Sequence, residues 1–137
     1  MSDKLPQITT YFVVTSDAYF DPTDVARRIP ITATSMERQG DPRPSPRPPV
    51  KHSTWNVECK DRRIQSIDEG IREVLEIVWP HRTEIRKVLS ELKLSSAFMS
   101  YVRIHDLGVV YEILPDTLAR MADFGAEWNM DLYDFSE

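Results

Sequence analysis

Polar and aromatic side chains alternate with apolar ones along three predicted strands, and their types suit the binding of a polar or charged ligand. The residues on the polar side are Thr54, Asn56 and Glu58, then Tyr101, Arg103 and His105, and finally Glu127, Asn129, Asp131 and Tyr133. If the strands share one sheet, we expect these side chains to converge on an open face that binds a peptide, a protein or a polar small molecule. The competing interpretation is a solvated face with cross-strand ion pairs, for instance between Arg103 and Asp131 or Glu127.

Charge is concentrated at the C-terminal end of the chain. The sequence has 22 acidic and 17 basic residues and a net charge of −5. The segment from Asp123 to Glu137 contains five of the acids and no base, so it accounts for the whole net charge. Such a patch attracts a basic partner or steers a cationic ligand. The candidate binding residues are therefore Tyr101, Arg103 and His105, together with Glu127, Asn129, Asp131, Tyr133 and Asp134 from this acidic segment.

Motifs that carry catalysis or bind a cofactor are missing from the sequence. It has no glycine-rich phosphate loop, no His-Glu-x-x-His helix and no Cys-x-x-Cys pair. The single cysteine, Cys59, alternates in phase with Trp55 and Val57, which predicts a buried and unreactive thiol. The histidines are too far apart in sequence to suggest a metal site: His52, His81 and His105. We therefore expect no cofactor and no metal.

Length and composition indicate one globular domain over residues 1–137. The chain is long enough to bury its own core, and it is 41% hydrophobic and 28% charged. No stretch approaches the ~20 apolar residues of a membrane span, and the N-terminal residues lack the features of a signal peptide. A lone cysteine fits a reducing compartment, so we expect a cytoplasmic protein that does not bind membranes. The acidic character of the aromatic face argues against nucleic acid as a partner.

The periodicity of the apolar residues predicts an α+β fold. Strands are expected at 8–15, 54–59, 98–105, 109–114 and 127–133, and helices at 21–30, 63–78, 82–92 and 115–124. The strands at 98–105 and 109–114 are expected to form a hairpin through Gly108. Together these elements predict a mainly antiparallel sheet of about five strands with its helices on one face, in a ferredoxin-like succession (β-α-β-α-α-β-β-α-β).

A proline-rich stretch predicts a stiff surface loop at residues 40–50. Five of the ten residues from Gly40 to Pro49 are proline, a composition that favours extended backbone without internal hydrogen bonds. Within it, Arg43, Pro46 and Pro49 match the basic-x-x-Pro-x-x-Pro pattern that polyproline-binding domains recognise. A rigid connector is the simpler interpretation of the same composition.

Four short motifs are spread over nearly the whole chain. They are Phe20-Asp21-Pro22 opening a helix after the first strand, the pair Gly40-Asp41, Ser53-Thr54-Trp55 at the start of a strand, and Asp131-Leu132-Tyr133 near the end. With these motifs the chain resembles a family of bacterial proteins known as domain of unknown function 4279. The resemblance implies a compact α+β domain and no established activity.

The function that these observations favour is that of a non-enzymatic cytoplasmic binding domain. One form is an acidic immunity-type inhibitor or adaptor that binds a basic protein, such as a toxin or nuclease, through the C-terminal acidic strand. The alternative is a small-molecule-sensing or enzymatic domain in which Tyr101, His105, Asp131 and Tyr133 line a polar pocket on the open sheet face. A third interpretation assigns the acids to solubility alone.

Overall fold

The computed structural model describes residues 4–136, which form five strands and four α-helices. In chain order these are β1 (Gln7–Thr15), α1 (Pro22–Arg28), β2 (Ser35–Glu37), β3 (Thr54–Arg63), α2 (Ile67–Val78), α3 (Arg82–Leu92), β4 (Ser95–Ile104), α4 (Pro115–Asp123) and β5 (Glu127–Asp134). A 3-10 turn at Trp79–His81 separates α2 from α3. The break coincides with Pro80, which has no backbone N–H to continue a helix.

The strands form one mixed sheet in the order β2-β3-β1-β4-β5. The central strand β1 is antiparallel to both β3 and β4, and β2 is antiparallel to β3, whereas β4 and β5 are parallel. The predicted α+β fold and the number of strands are thereby confirmed, and three of the four strand pairs are antiparallel. The ferredoxin-like succession is not confirmed.

All the connections that contain helices join parallel strands, which explains why one face of the sheet carries every helix. The connections from β1 to β2 and from β3 to β4 each pass over one strand, and the connection from β4 to β5 joins neighbours. The strands β1 and β3 run in opposite directions, and their connections also lead toward opposite edges of the sheet. With the usual right-handed crossover, both connections and the one through α4 place their helices on the same face.

The core lies between this helical layer and the sheet. Its strand residues are Ile8, Phe12 and Val14 of β1, Trp55 and Val57 of β3, and Phe98 and Val102 of β4, all fully or almost fully buried. The ring centroids of Phe12 and Phe98 are 5.0 Å apart, and that of Phe12 lies 5.3 Å from that of Phe124, which follows α4. Helix α2 covers the middle of the sheet with an apolar stripe that includes Ile71 and Val74.

Side-chain caps define where the first two helices begin. Ser66 caps α2 by accepting a hydrogen bond from the N–H of Glu69. Asp21 caps α1 by accepting from the N–H of Thr23, and the same carboxylate accepts from the Arg38 guanidinium at 2.9 Å. The Arg38 bond and then the bonds from Thr23 lower the pKa of Asp21 to about 2. Asp21 therefore joins the start of α1 to the residue that follows β2.

The strand predicted at 109–114 is wrong, and so is the hairpin that depended on it. This segment is irregular and makes a single parallel bridge, between Val110 and Ser66. Val109 and Ile113 pack against the core while Val110, Tyr111 and Leu114 are exposed, so this apolar run is a loop that contacts the core at only two residues. The place beside β4 is taken by β5. Sequence reasoning also missed β2, because its three residues are all exposed and show no apolar pattern.

The proline-rich loop at residues 40–50 is closed by hydrogen bonds between its ends. The N–H of Gly40 donates to the carbonyl of Val50, and the N–H of Val50 donates to the carbonyl of Asp41. The Arg43 guanidinium donates to the carbonyls of Pro48 and Pro49, which leaves fewer donors of this side chain for a polyproline-binding partner. The loop is thus held in shape by its own backbone and by one arginine.

Helix α2 packs closely against the central strand at Gly70. A Cβ atom at this position would lie 2.7 Å from Thr10 Oγ1 and 3.3 Å from Ile8 Cγ2, both on β1. Thr10 Oγ1 is buried and has no hydrogen-bond partner among the described residues. Glycine is therefore required at this position by the spacing between helix and strand.

We expect Gly70→Ala to destabilise the protein by about 1–3 kcal/mol, because overpacking exceeds the ~1 kcal/mol that alanine gains over glycine in a helix. Thr10→Ala removes the atom that the new Cβ would meet first, so the cost of Gly70→Ala should be smaller in that background. Chemical denaturation of the wild type, both single variants and the double variant measures this coupling. Gly108→Ala is the control, since a Cβ there meets nothing within 4 Å. Equal costs in both backgrounds would contradict the contact.

Candidate functional site

The face of the sheet opposite the helices, here called the open face, carries almost all the candidate residues. The strand register places on it Thr54, Asn56 and Glu58 of β3, Tyr11 and Val13 of β1, Met99, Tyr101 and Arg103 of β4, and Glu127, Asn129, Asp131 and Tyr133 of β5. Tyr101 is paired with Asp131, and Arg103 is paired with Tyr133. The prediction that three strands turn their polar sides to one surface agrees with this register.

Two candidate residues lie elsewhere. His105 follows β4 at the margin of the sheet, where its Nε2 atom is 3.1 Å from Gln7 Oε1 and its ring stacks on Phe135. Asp134 is paired with Ile104, so it points to the helical side of β5. Its carboxylate accepts hydrogen bonds from the hydroxyl and the N–H of Ser136, which lower its pKa. Asp134 thus binds Ser136 just after β5 and does not contribute to the open face.

A shallow hollow of about 320 Å³ lies near the middle of the open face. Its lining consists of Tyr11, Val13, Asn56, Met99, Tyr101 and Asp131. Of the four residues predicted to line a polar pocket, the hollow contains Tyr101 and Asp131, whereas His105 and Tyr133 lie outside its lining. Sequence reasoning missed Tyr11, Val13 and Met99. They could have been found from the strand pairing, because each of them lies on the same side of its strand as the polar residues of the neighbouring strands.

The Arg103 guanidinium contacts an aromatic ring and forms no ion pair with the neighbouring acids. Its Cζ atom lies 5.3 Å from the centroid of the Tyr101 ring, and the Tyr101 and Tyr133 centroids are 5.1 Å apart. Within residues 4–136, no ion pair joins Arg103 to Asp131 or Glu127. The cross-strand ion pairs of the competing interpretation are therefore not formed among these residues, and the solvated face itself stays a prediction.

All the ion pairs among the described residues lie on the helical side of the protein, and none lies on the open face. The acids that form ion pairs lie on helices or at helix starts: Asp21, Asp24, Asp68, Glu73, Glu91, Asp116 and Asp123. Glu58, Glu127 and Asp131 on the open face form none with any residue that the structure describes. The helical acids Glu69, Glu76 and Glu84 form none either, so what distinguishes the open face is that its unpaired carboxylates lie together on one surface and give it a negative potential.

The hydroxyl of Tyr11 reports this local field. Burial raises the pKa of Tyr11, the Glu58 carboxylate raises it further, and Arg103 opposes the shift. Tyr11 therefore remains protonated to higher pH than an exposed tyrosine, and its hydroxyl stays available as a hydrogen-bond donor.

Cys59 lies on the other side of β3, where it is half-buried and packs against the core, so the predicted buried thiol is confirmed only in part. Burial decreases along β3 from Trp55 and Val57 to the exposed residues that follow Cys59. Burial still raises the pKa of the thiol, with Glu73 adding to the effect, so little thiolate forms near neutral pH.

In the described range no group of three His, Cys, Asp or Glu side chains could hold a metal ion. Of its helices, none is long and apolar enough to span a membrane.

The architecture and the site define an α+β protein with one helical layer and one open, acidic sheet face. Residues 6–135 match the family model described as "Domain of unknown function (DUF4279)", and the chain belongs to this family. The resemblance seen in the four short motifs is thus confirmed over nearly the whole chain. Comparison with curated proteins gives no match, and comparison with solved structures gives none either.

The pKa of Tyr11 tests whether the open face carries this negative field. We expect the pKa to lie above the ordinary value of 10.0 and to fall in Glu58→Gln, while burial keeps it above that value. Since the folded state holds this proton more tightly than the unfolded state, its stabilising contribution is complete below the unfolded pKa and is lost as the pH rises through the folded pKa. NMR of the ring carbon bonded to the hydroxyl, assigned with Tyr11→Phe, measures the titration.

The matched control for this titration is Glu112→Gln, which removes an exposed acid outside the sheet and should leave the Tyr11 pKa unchanged. A Tyr11 pKa that does not respond to Glu58→Gln would contradict the proposed effect of the neighbouring carboxylate.

Proposed function

We propose that this protein is a non-enzymatic cytoplasmic binding domain that engages a basic partner protein through the open face and the acidic strand β5. An immunity-type inhibitor or an adaptor is the form of this function that we favour. The observation that carries the proposal is that Glu58, Glu127 and Asp131 lie together on one open sheet face and form no ion pair with any described residue. A basic surface that covers the open face would supply the missing counter-charges.

The composition of the open face supports a protein partner. Tyr11, Met99 and Tyr101 are half-buried near its centre, and Glu127 and Asp131 are exposed toward one edge. Protein interfaces commonly combine an aromatic and methionine-containing centre with a polar rim. No helix covers this side of the sheet in the described part of the chain, so a partner can reach four adjacent strands at once.

The placement of the charge supports rapid association with a basic partner. Exposed acids without local counter-ions create a potential that extends into solvent and orients an approaching cationic surface. Such steering raises the association rate at low ionic strength and weakens as salt screens the charges. Fast association is useful for an inhibitor that must bind its target before the target acts.

A polar small molecule is the second candidate for the same face. The hollow of about 320 Å³ lies at the lower end of the range for ligand pockets, and it combines an apolar floor with Asn56, Tyr101 and Asp131. This candidate belongs to the sensing or enzymatic alternative. The histidine that could transfer protons is engaged with Gln7 outside the hollow, which favours binding over catalysis.

Affinity capture from the lysate of the source organism tests the proposal. The open-face variant combines Glu58→Gln, Glu127→Gln and Asp131→Asn. Its matched control combines Glu69→Gln, Glu84→Gln and Glu112→Gln, which replace three exposed acids with the same change of charge. We expect wild type and control to retain one basic protein stoichiometrically, and the open-face variant to bind it at least about tenfold more weakly.

Equal loss of binding in the control variant would mean that only net charge matters and would contradict a role for the open face. If wild type retained no protein and instead retained a small molecule, the second candidate would replace the first.

A further inference from the structure

We propose that the hollow on the open face receives an arginine side chain of the partner, with the guanidinium against the tyrosine rings and paired with Asp131. This inference rests on the proposed function, because it names the chemical group that the same face binds. It is carried by the acceptor groups, the aromatic rings and the apolar floor that the strand register brings together.

The floor of the hollow suits the aliphatic part of a long cationic side chain. Val13 of β1 and Met99 of β4 are half-buried and lie between the polar ends of the hollow. The methylene groups of an arginine can cover such a surface while the charged head reaches a polar group at its edge. A compact inorganic cation would leave this apolar surface in contact with water, and it therefore fits the hollow less well.

The rings of the hollow supply faces for a planar cation. Among the residues that the structure describes, Tyr11 takes part in no ring–ring or cation–ring contact, so its ring face is unused. The guanidinium of Arg103 already lies 5.3 Å from the centroid of Tyr101, so this surface accommodates a guanidinium against a tyrosine. A second guanidinium against Tyr11 would repeat that contact one strand away.

The polar groups of the hollow are mostly acceptors, which complements the five N–H donors of a guanidinium. Asp131 is exposed at one end and is free of ion pairs within the described chain. Asn56 donates its amide N–H groups to Ser35 and Thr54, so its carbonyl oxygen remains to accept. Glu58, paired with Tyr11 in the register, adds a second negative charge beside the ring.

Arginine fits this combination better than lysine. A guanidinium is planar and weakly hydrated, so it can stack on a ring and bind a carboxylate in its own plane at the same time. An ammonium group is a compact, strongly hydrated charge that would give up more solvation on an apolar floor. We therefore expect the hollow to distinguish the two cations.

Titration of the full chain with small probes, followed by NMR, tests the site directly. The probes are N-acetylarginine methylamide, the lysine analogue, and the citrulline analogue, which has nearly the same shape as arginine but no charge. We expect saturable shifts of Tyr11, Met99 and Tyr101 with the arginine probe, at a dissociation constant of roughly millimolar order. Lysine should bind several-fold more weakly, and citrulline should produce no saturable shift.

Two pairs of variants measure separately how much the Tyr11 ring and the Asp131 carboxylate contribute to binding of the arginine probe. Asp131→Asn should weaken the arginine probe about tenfold, whereas Glu112→Gln, an exposed acid outside the sheet, should not. Tyr11→Leu should weaken it several-fold, whereas Tyr111→Leu, at an exposed tyrosine in the loop before α4, should not. Asp131 is exposed at the edge of the sheet, so its variant tests the site even if Tyr11→Leu reduces stability.

Equal binding of citrulline and arginine would overturn the inference, as would the absence of any saturable shift. The outcome is distinguishable from that of the proposed function. Arginine binding without a captured basic protein would reject the partner and keep the guanidinium site. A captured partner whose binding is unchanged by Tyr11→Leu and Asp131→Asn would keep the function and reject the site.

Discussion

The close packing of α2 on β1 at Gly70 is the contact on which the rest of the structure depends. β1 is the central strand, so its position relative to α2 sets the distance between the whole sheet and the helical layer. The absence of a side chain at Gly70 lets the apolar stripe of α2 reach Ile8 and the neighbouring core residues. Because right-handed crossovers bring the other helices to that same side, the opposite face of β1 remains open, and Tyr11 and Val13 lie on it.

The two sides of the sheet differ in their ion pairs: among the described residues, all of them lie on the helical side. On the helical side, acids and arginines are neighbours on the same or adjacent helices, as in the pairs Asp116 with Arg120 and Asp123 with Arg86. On the open face, the one arginine of β4 stacks on Tyr101, and the acids of β5 have no arginine or lysine on their own strand. This arrangement follows from the placement of basic residues along the sequence, and it leaves a group of carboxylates on the open face that an external cation would neutralise.

The sequence was sufficient for the elements whose apolar residues repeat regularly, and insufficient where packing or pairing is decided by distant residues. Alternation identified β3, β4 and β5 and assigned their polar sides, and the resulting candidate face agrees with the register. The apolar run from Val109 to Leu114 was misleading, because only Val109 and Ile113 pack against the core and the segment is an irregular loop. Tyr11 was missed because β1 has apolar residues on both sides, and only the position of the helices decides which side is open. Met99 was missed because it is an apolar residue on the polar side of β4.

The edge position of β5 has a consequence for the behaviour of the protein in concentrated solution. An eight-residue edge strand with exposed Leu132 and Tyr133 is the kind of surface on which copies of a chain join edge to edge into larger assemblies. The carboxylates of Glu127, Asp131 and Asp134 would face those of a second copy in such a pairing, and like charges on adjacent strands repel. The acids of β5 therefore also act as a safeguard against self-aggregation, which becomes weaker in acidic or highly saline solution.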